Sequence, residues 1–172
     1  MDAGSFRFGV GEFECVSVSD GGLNYPLQSL FSNVPLERVE EAMRHLDLPT
    51  AQVMTLDTCL FIDTGEHRVL VDTGAGNLGA HAAQMFPGLD HSTSVTGLLL
   101  ENMRASGVEP SEIDTVTITH AHPDHVGGTL NETGELVFSN AHYFISEEKW
   151  EFWTSDGQAR DAAPATPSTT TS

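Results

Sequence analysis

Thr119-His120-Ala121-His122-Pro123-Asp124-His125-Val126-Gly127-Gly128 is the stretch on which the reading of this chain turns. Three histidines and one aspartate fall within six residues, in the pattern H-x-H-x-D-H, directly after the β-branched run Thr115 to Thr119. A strand that ends in a tight turn aims several side chains into one small volume. Imidazole nitrogen and carboxylate oxygen are the ligands that zinc and similar metals take. Four such groups this close repel one another unless a cation sits among them. Gly127 and Gly128 allow close backbone approach where the loop ends.

Outward from this loop the chain reads as α/β. Phe6 to Val10 and Phe13 to Ser19 read as strands joined at Gly11, and Asp20-Gly21-Gly22 as a turn. Residues 23 to 34 read as an irregular loop. Pro35 opens a helix at a position where its missing N–H costs nothing, with Leu36, Val39, Met43 and Leu46 on one face. Val53 to Asp63 and His67 to Asp72 read as a hairpin around Thr64-Gly65-Glu66. Leu60-Phe61-Ile62 and Val69-Leu70-Val71 are apolar at every position, as in strands covered on both faces. The Gly-rich run from Gly74 to Asp90 lacks the Gly-Lys-Ser/Thr of a phosphate cradle. Ser92 to Ser94 caps a helix whose stripe is Val95, Leu98, Leu99 and Met103, ended by Gly107. Beyond the His-rich loop, Val126 to Leu130 reads as a short helix, Leu136 to Phe138 and His142 to Ile145 as strands, and Glu147 to Trp153 as a helix. Its two tryptophans, Trp150 and Trp153, read as core or interface.

Composition narrows the function. The 172 residues carry 25 acids against 7 bases, a net charge of −18, with Lys149 the sole lysine. An acidic surface repels phosphate backbones, which excludes a nucleic-acid partner. Cys15 and Cys59 lie in apolar runs and read as two reduced, buried thiols. No basic n-region followed by an apolar core opens the chain, and no apolar run nears the roughly 18 residues that span a bilayer. A cytoplasmic protein with no membrane partner is the expectation. Asp161 to Ser172, rich in Ala, Pro, Ser and Thr, has no apolar periodicity. The chain therefore divides into a domain over residues 1–153 and a disordered tail over 154–172.

H-x-H-x-D-H after a strand resembles the signature of the metallo-β-lactamase-fold hydrolases. Val69-Leu70-Val71-Asp72-Thr73-Gly74 is similar to that family's strand ending in an Asp-Thr-Gly turn, and Pro110-Ser111-Glu112-Ile113-Asp114 to the short turn before its metal-loop strand. Asp20 to Gly76 resembles the branch that holds lactonases and methyl-parathion-hydrolase-like enzymes. The resemblance covers residues 10 to 153 and implies an αββα sandwich, of which this chain holds the N-terminal half.

The resemblance also implies a zinc site of two ions. His120 and His122 bind one, Asp124 and His125 the other, and Asp72 stands behind them holding an imidazole or the loop. Asp124 is the catalytic candidate, passing a proton to the leaving group while a metal-bound hydroxide attacks. In the family, further His and Asp ligands come from far along the chain, and this sequence has none in the expected place. Three functions follow as alternatives. The first is a metal-dependent hydrolase of a small-molecule ester, lactone or organophosphate, with half its site supplied elsewhere. The second is an inactive fragment or interaction module that self-associates through an exposed apolar sheet face. The third is a mononuclear iron oxidoreductase of the same fold.

Overall fold

The computed structural model describes residues 4–31, 33–76 and 94–155. Its centre is one six-stranded sheet of order β1-β2-β3-β4-β5-β6, formed by Ser5–Val10, Phe13–Pro26, Gln52–Asp63, Arg68–Val71, Thr115–Ile118 and His142–Ile145. The first four strands pair antiparallel, and β4, β5 and β6 run parallel. Helices α1 (Leu27–Leu30), α2 (Leu36–His45), α3 (Leu99–Ala105), α4 (Pro123–Val126) and α5 (Glu147–Thr154) complete the mixed α/β fold.

The core lies where α3 packs on the sheet. Leu99 and Met103 of α3 meet Val16 and Val18 of β2, Phe61 of β3, Leu70 of β4 and Val116 of β5, all buried, with Phe138 closing the far side. The strands at the centre are apolar at every position, yet only alternate residues are fully buried: Phe61 and Leu70 are, while Leu60, Ile62, Val69 and Val71 are half-covered. The second face is open. Along the β5–β6 edge it forms a groove of about 1280 Å³ lined by Ile118, Val126, Leu130, Tyr143, Trp150 and Trp153.

Several elements differ from the sequence reading. β2 does not stop at Ser19 but continues through Gly21-Gly22 to Pro26, replacing the expected turn and the start of the irregular loop. Its register against β3 shifts between Ser19 and Gly21, and Gly21, at φ 116°, absorbs that shift. α3 begins at Leu99 rather than at Val95, because Val95 bridges to Gly22 and is half-exposed instead of joining a buried stripe. The short helix expected over Val126 to Leu130 is found as a 3-10 turn, Gly127–Thr129, and is preceded by α4, which starts at Pro123, whose fixed φ suits a first helical position. Leu136 to Phe138 is no strand; Leu136 makes a lone bridge to Leu130. Of the two readings for Trp150, core or interface, its 60% exposure rules out the core. The expected tail, His81, His91 and most of the expected cap at Ser92 to Ser94 lie outside the described residues.

Both candidate segments, the Asp-Thr-Gly turn and the His-rich loop, leave the C-terminal ends of neighbouring parallel strands, β4 and β5. In open α/β sheets that end is where ligands bind.

Candidate metal centre

Asp72 takes a left-handed backbone, φ 61°, immediately after β4. Asp tolerates this region better than most residues. Its N–H still donates to Thr117 O at 2.9 Å, extending the β4–β5 ladder by one step. The carboxylate is 7% exposed and fully engaged. Oδ1 accepts from the Thr119 N–H at 2.8 Å, Oδ2 from the Thr119 hydroxyl at 2.8 Å, and Oδ2 lies 2.7 Å from His125 Nδ1. The next residues continue the seam. The N–H and hydroxyl of Thr73 both donate to His125 O, and the Gly128 N–H donates to Gly74 O. A Cβ on Gly128 would collide with the Thr73 carbonyl oxygen, so a glycine at 128 is a requirement of this seam.

Held this way, the motif side chains converge in two pairs. His120 Nε2 lies 3.1 Å from His122 Nδ1, and His125 Nε2 lies 3.5 Å from Asp124 Oδ2. The His120 and His125 rings bring the pairs together, with centroids 3.9 Å apart. Two donors on one tetrahedral zinc, each at 2.0–2.2 Å, stand roughly 3.3–3.5 Å from each other. Both observed separations are close to that span. Asp72 accepting from Nδ1 of His125 leaves the lone pair on Nε2, the nitrogen beside Asp124. Burial, then the neighbouring His125 and His122, lower the pKa of His120 below its usual 6.5, which favours the neutral, ligating form. The donor set fits a zinc-type cation in chemistry and spacing. It supplies two donors per pair; among the described residues no three His, Cys, Asp or Glu groups stand in ligating array.

A third acid joins this end of the sheet unannounced by any motif. Asp57 sits on β3 opposite Gly21, on the inward row that holds Cys59 and Phe61. It is 7% exposed, and its Oδ2 has no hydrogen-bond partner among the described residues. Burial, then the charges of Asp124 and Asp20, push its pKa up to about 7, with His125 opposing. Tyr25 is pushed up to about 12 by burial, Asp124 and Asp57. Asp20, wholly buried, is raised by burial despite accepting from the N–H groups of Leu99 at 2.9 Å and Gly76 at 3.0 Å. The sequence signal for Asp57 is a lone carboxylate two residues before Cys59, on the alternation that the fold turns inward.

The mouth of the site is an opening of about 710 Å³ whose lining includes His120, His122, Phe152 and Trp153. The Trp153 ring stands edge-on to His122 at 5.9 Å, so this residue, read from sequence as core or interface, borders the cluster. The remaining described histidines stay apart. His45 pairs with Glu41 on α2, His67 with Asp114 at the β3–β4 end, and His142 is exposed at the opposite end of β6.

Residues 57–164 match the family profile described as the Metallo-beta-lactamase superfamily. Among solved structures, AidC, described as a dizinc quorum-quenching lactonase in complex with a product, is 26% identical with a TM-score of 0.76, over 87% of this chain and 47% of its own. AbOPH, described as a hydrolase in the beta lactamase superfamily, is 27% identical with a TM-score of 0.72, over 94% and 50%. A probable metal-dependent hydrolase from Staphylococcus aureus shares the fold at 20% identity and a TM-score of 0.70, over 90% and 54%. The chain spans about half the length of the solved structures it matches.

Two measurements test this geometry. Asp72→Asn turns one acceptor oxygen into a donor against Thr119 or His125. It should cost about 1–3 kcal/mol in urea unfolding, the penalty of a buried unsatisfied group. Nitrogen NMR should show the His125 proton leaving Nδ1; an unchanged tautomer would mean that Asp72 does not set it. The second test concerns Asp57. An unfolded Asp releases its proton near pH 4, about, whereas in the fold Asp57 holds it to about 7. The metal-free fold is thus penalised progressively as pH rises through that window. In chelator-treated protein, the melting temperature of Asp57→Asn minus that of the parent should therefore grow from acid pH to a plateau above 7. A flat difference would show that Asp57 titrates normally.

Proposed function

The chain belongs to the metallo-beta-lactamase superfamily, and from that premise we propose that it carries the metal-binding half of a hydrolase acting on a small ester, lactone or organophosphate. The pair of donor separations, 3.1 Å and 3.5 Å, carries this reading. His120 and His122 hold one zinc ion, and Asp124 with His125 holds a second. Bound cations supply Lewis acidity toward a carbonyl or phosphoryl oxygen and bring the pKa of water toward neutrality.

The chain's own residues do the rest. Asp72 keeps the His125 proton on Nδ1 and the ring in one orientation. Asp124, half-buried beside His125, is placed to take up a proton and return it to the leaving group. Trp153 borders the opening and presents an apolar wall to an acyl or alkyl group. The net charge of −18 disfavours a polyanionic substrate and suits a small, neutral one. The likeness to a lactonase supports the ester and lactone class.

A catalytic zinc takes about three protein donors and keeps one open position. Two donors per ion should bind weakly. The metal-stripped chain is therefore expected to take up zinc with loss to a mild chelator, and to hydrolyse an aryl ester or a lactone slowly. His122→Ala should remove one of the two zinc equivalents and at least about 100-fold of any turnover, a loss typical of ligand-shell damage. Zinc uptake indifferent to His120→Ala and His122→Ala would end this reading, and one iron per chain would favour the oxidoreductase alternative.

The open groove beside β6 favours a second reading, that this chain is an interaction module. Phe144 and Trp150 are 56% and 60% exposed there. Exposed apolar faces of this size mark association sites. On this reading sedimentation velocity should show a dimer that Phe144→Ser with Trp150→Ser converts to monomer. A parent chain that is monomeric and binds no hydrophobic dye would count against it.

A further inference from the structure

Asp20 is the most enclosed acid among the described residues, at 0% exposure, and the zinc reading gives it no part. Both of its carboxylate oxygens are spent, and on two different segments. Oδ1 accepts from the Leu99 N–H at 2.9 Å, and Oδ2 from the Gly76 N–H at 3.0 Å. Its main-chain oxygen accepts from the Leu98 N–H at 3.1 Å. One residue of β2 thus ties the start of α3 to the turn that follows β4. The Leu98 and Leu99 bonds answer an ordinary need, since the first N–H groups of a helix have no partner inside it. The Gly76 bond serves the other segment.

That segment is the bed on which the His-rich loop ends. The N–H and hydroxyl of Thr73 donate to His125 O at 2.8 and 3.1 Å, and the Gly128 N–H donates to Gly74 O at 3.2 Å. Gly76 stands so close to the loop that a Cβ on it would strike the Gly127 carbonyl oxygen. Asp20 stands against the same turn from its other side, where a Cβ on Gly74 would strike its carboxyl. Gly74 and Gly76 both take a left-handed backbone, φ 71° and 52°. Glycine enters that region freely and leaves it as freely, so the turn keeps one shape only through outside partners. Two side chains supply them: Asp20 on the Gly76 N–H, and the Thr96 hydroxyl on Gly76 O at 3.1 Å.

We propose that Asp20 is a second positioning residue of the metal centre, fixing the turn at 74–76 and, through it, the end of the His-rich loop that carries Asp124 and His125. This rests on the zinc reading above and adds a residue outside the motif. The labour is divided between two acids. Asp72 holds Thr119 and the His125 ring, and Asp20 holds the turn against which the main chain from His125 to Gly128 rests. The place asks for a carboxylate, because two N–H groups from separate segments meet there and both need an acceptor. An amide of the same shape offers one acceptor oxygen and turns a donor toward the second N–H.

The test is backbone amide hydrogen exchange on the metal-stripped full chain. In Asp20→Asn the Gly128 N–H should lose protection by at least about tenfold relative to the amides of β5, as local opening replaces a held contact. Glu101→Gly, on the exposed side of α3, weakens the helix without touching the turn and should leave that ratio unchanged. An equal loss in Glu101→Gly would reduce the effect to general destabilisation and overturn the proposal, as would an unchanged ratio in Asp20→Asn. In competition with a chromophoric chelator, Asp20→Asn should also weaken zinc at one site by about tenfold, with Glu101→Gly unaffected. Unchanged zinc affinity beside a loosened Gly128 would mean that the loop end moves without reaching the donors, and would overturn the positioning role. A parent that takes up no zinc overturns the hydrolase reading, and the exchange ratio alone then decides whether Asp20 holds the loop. If Asp20→Asn does not fold, Asp20→Ser is read in its place, and failure of both to fold gives Asp20 a purely structural role and overturns the proposal.

Discussion

The carboxylate of Asp72 is the constraint on which the site depends. It receives the Thr119 backbone N–H and hydroxyl and faces Nδ1 of His125, so one side chain grips both ends of the loop from 119 to 125. The loop itself contains one short turn of helix and no strand pairing. Without Asp72 its side chains would sample many arrangements, and each ordered residue costs about 1–2 kcal/mol in backbone entropy. The grip works only because β4 and β5 run parallel and end side by side, and because the backbone at Asp72 turns left-handed there. Strand pairing, a turn that Asp tolerates and a metal-type cluster are thus one connected arrangement.

Charge sets the second condition. Asp20, Asp57, Asp72 and Asp124 meet at one sheet end in a chain that already carries −18. Each acid is made tolerable in its own way. Asp72 and Asp20 each spend both oxygens on N–H or hydroxyl donors. Among the described residues Asp57 has no such donor on Oδ2, and burial pushes its pKa up to about 7. Cys59, buried between Asp20, Asp72 and Asp57, has its thiol pKa raised by burial and by these three charges, which leaves it an inert core thiol rather than a ligand. The same field that penalises anions here would attract a cation.

Much of this was legible in the sequence, and the physical reason is locality. The H-x-H-x-D-H run and Asp72-Thr73-Gly74 each act within a few residues of a strand end, so their spacing alone points to their use. The apolar runs of β3, β4 and β5 likewise announced buried strands. What stayed hidden depends on pairing between distant segments. β2 runs on through Asp20-Gly21-Gly22 because β3 and Val95 supply partners for it, while the local residues read as a turn. Val95 left the helix stripe for the same reason. Asp57 falls on the same alternation as Cys59 and Phe61, and only the packing of α3 on that face of the sheet makes the row an inward one. Trp153 borders His122 through the placement of α5, which no periodicity within Glu147–Thr154 encodes.

The two donor pairs bear on how such a site is built. His120 and His122 stand 3.1 Å apart, and His125 and Asp124 3.5 Å. The Asp72 seam ties both ends of the loop that carries them, so hydrogen bonds of the protein itself order these donors. Preorganisation of this kind lowers the entropic cost of binding but does not raise the number of donors. Affinity must then come from groups outside the motif. The open apolar groove beside β6 is the corresponding feature at the level of the fold: apolar side chains of β6 and α5 left on the surface. Local rigidity and incomplete coordination are thus separable properties, the first fixed by hydrogen bonds between β4, β5 and the loop, the second by what packs around them.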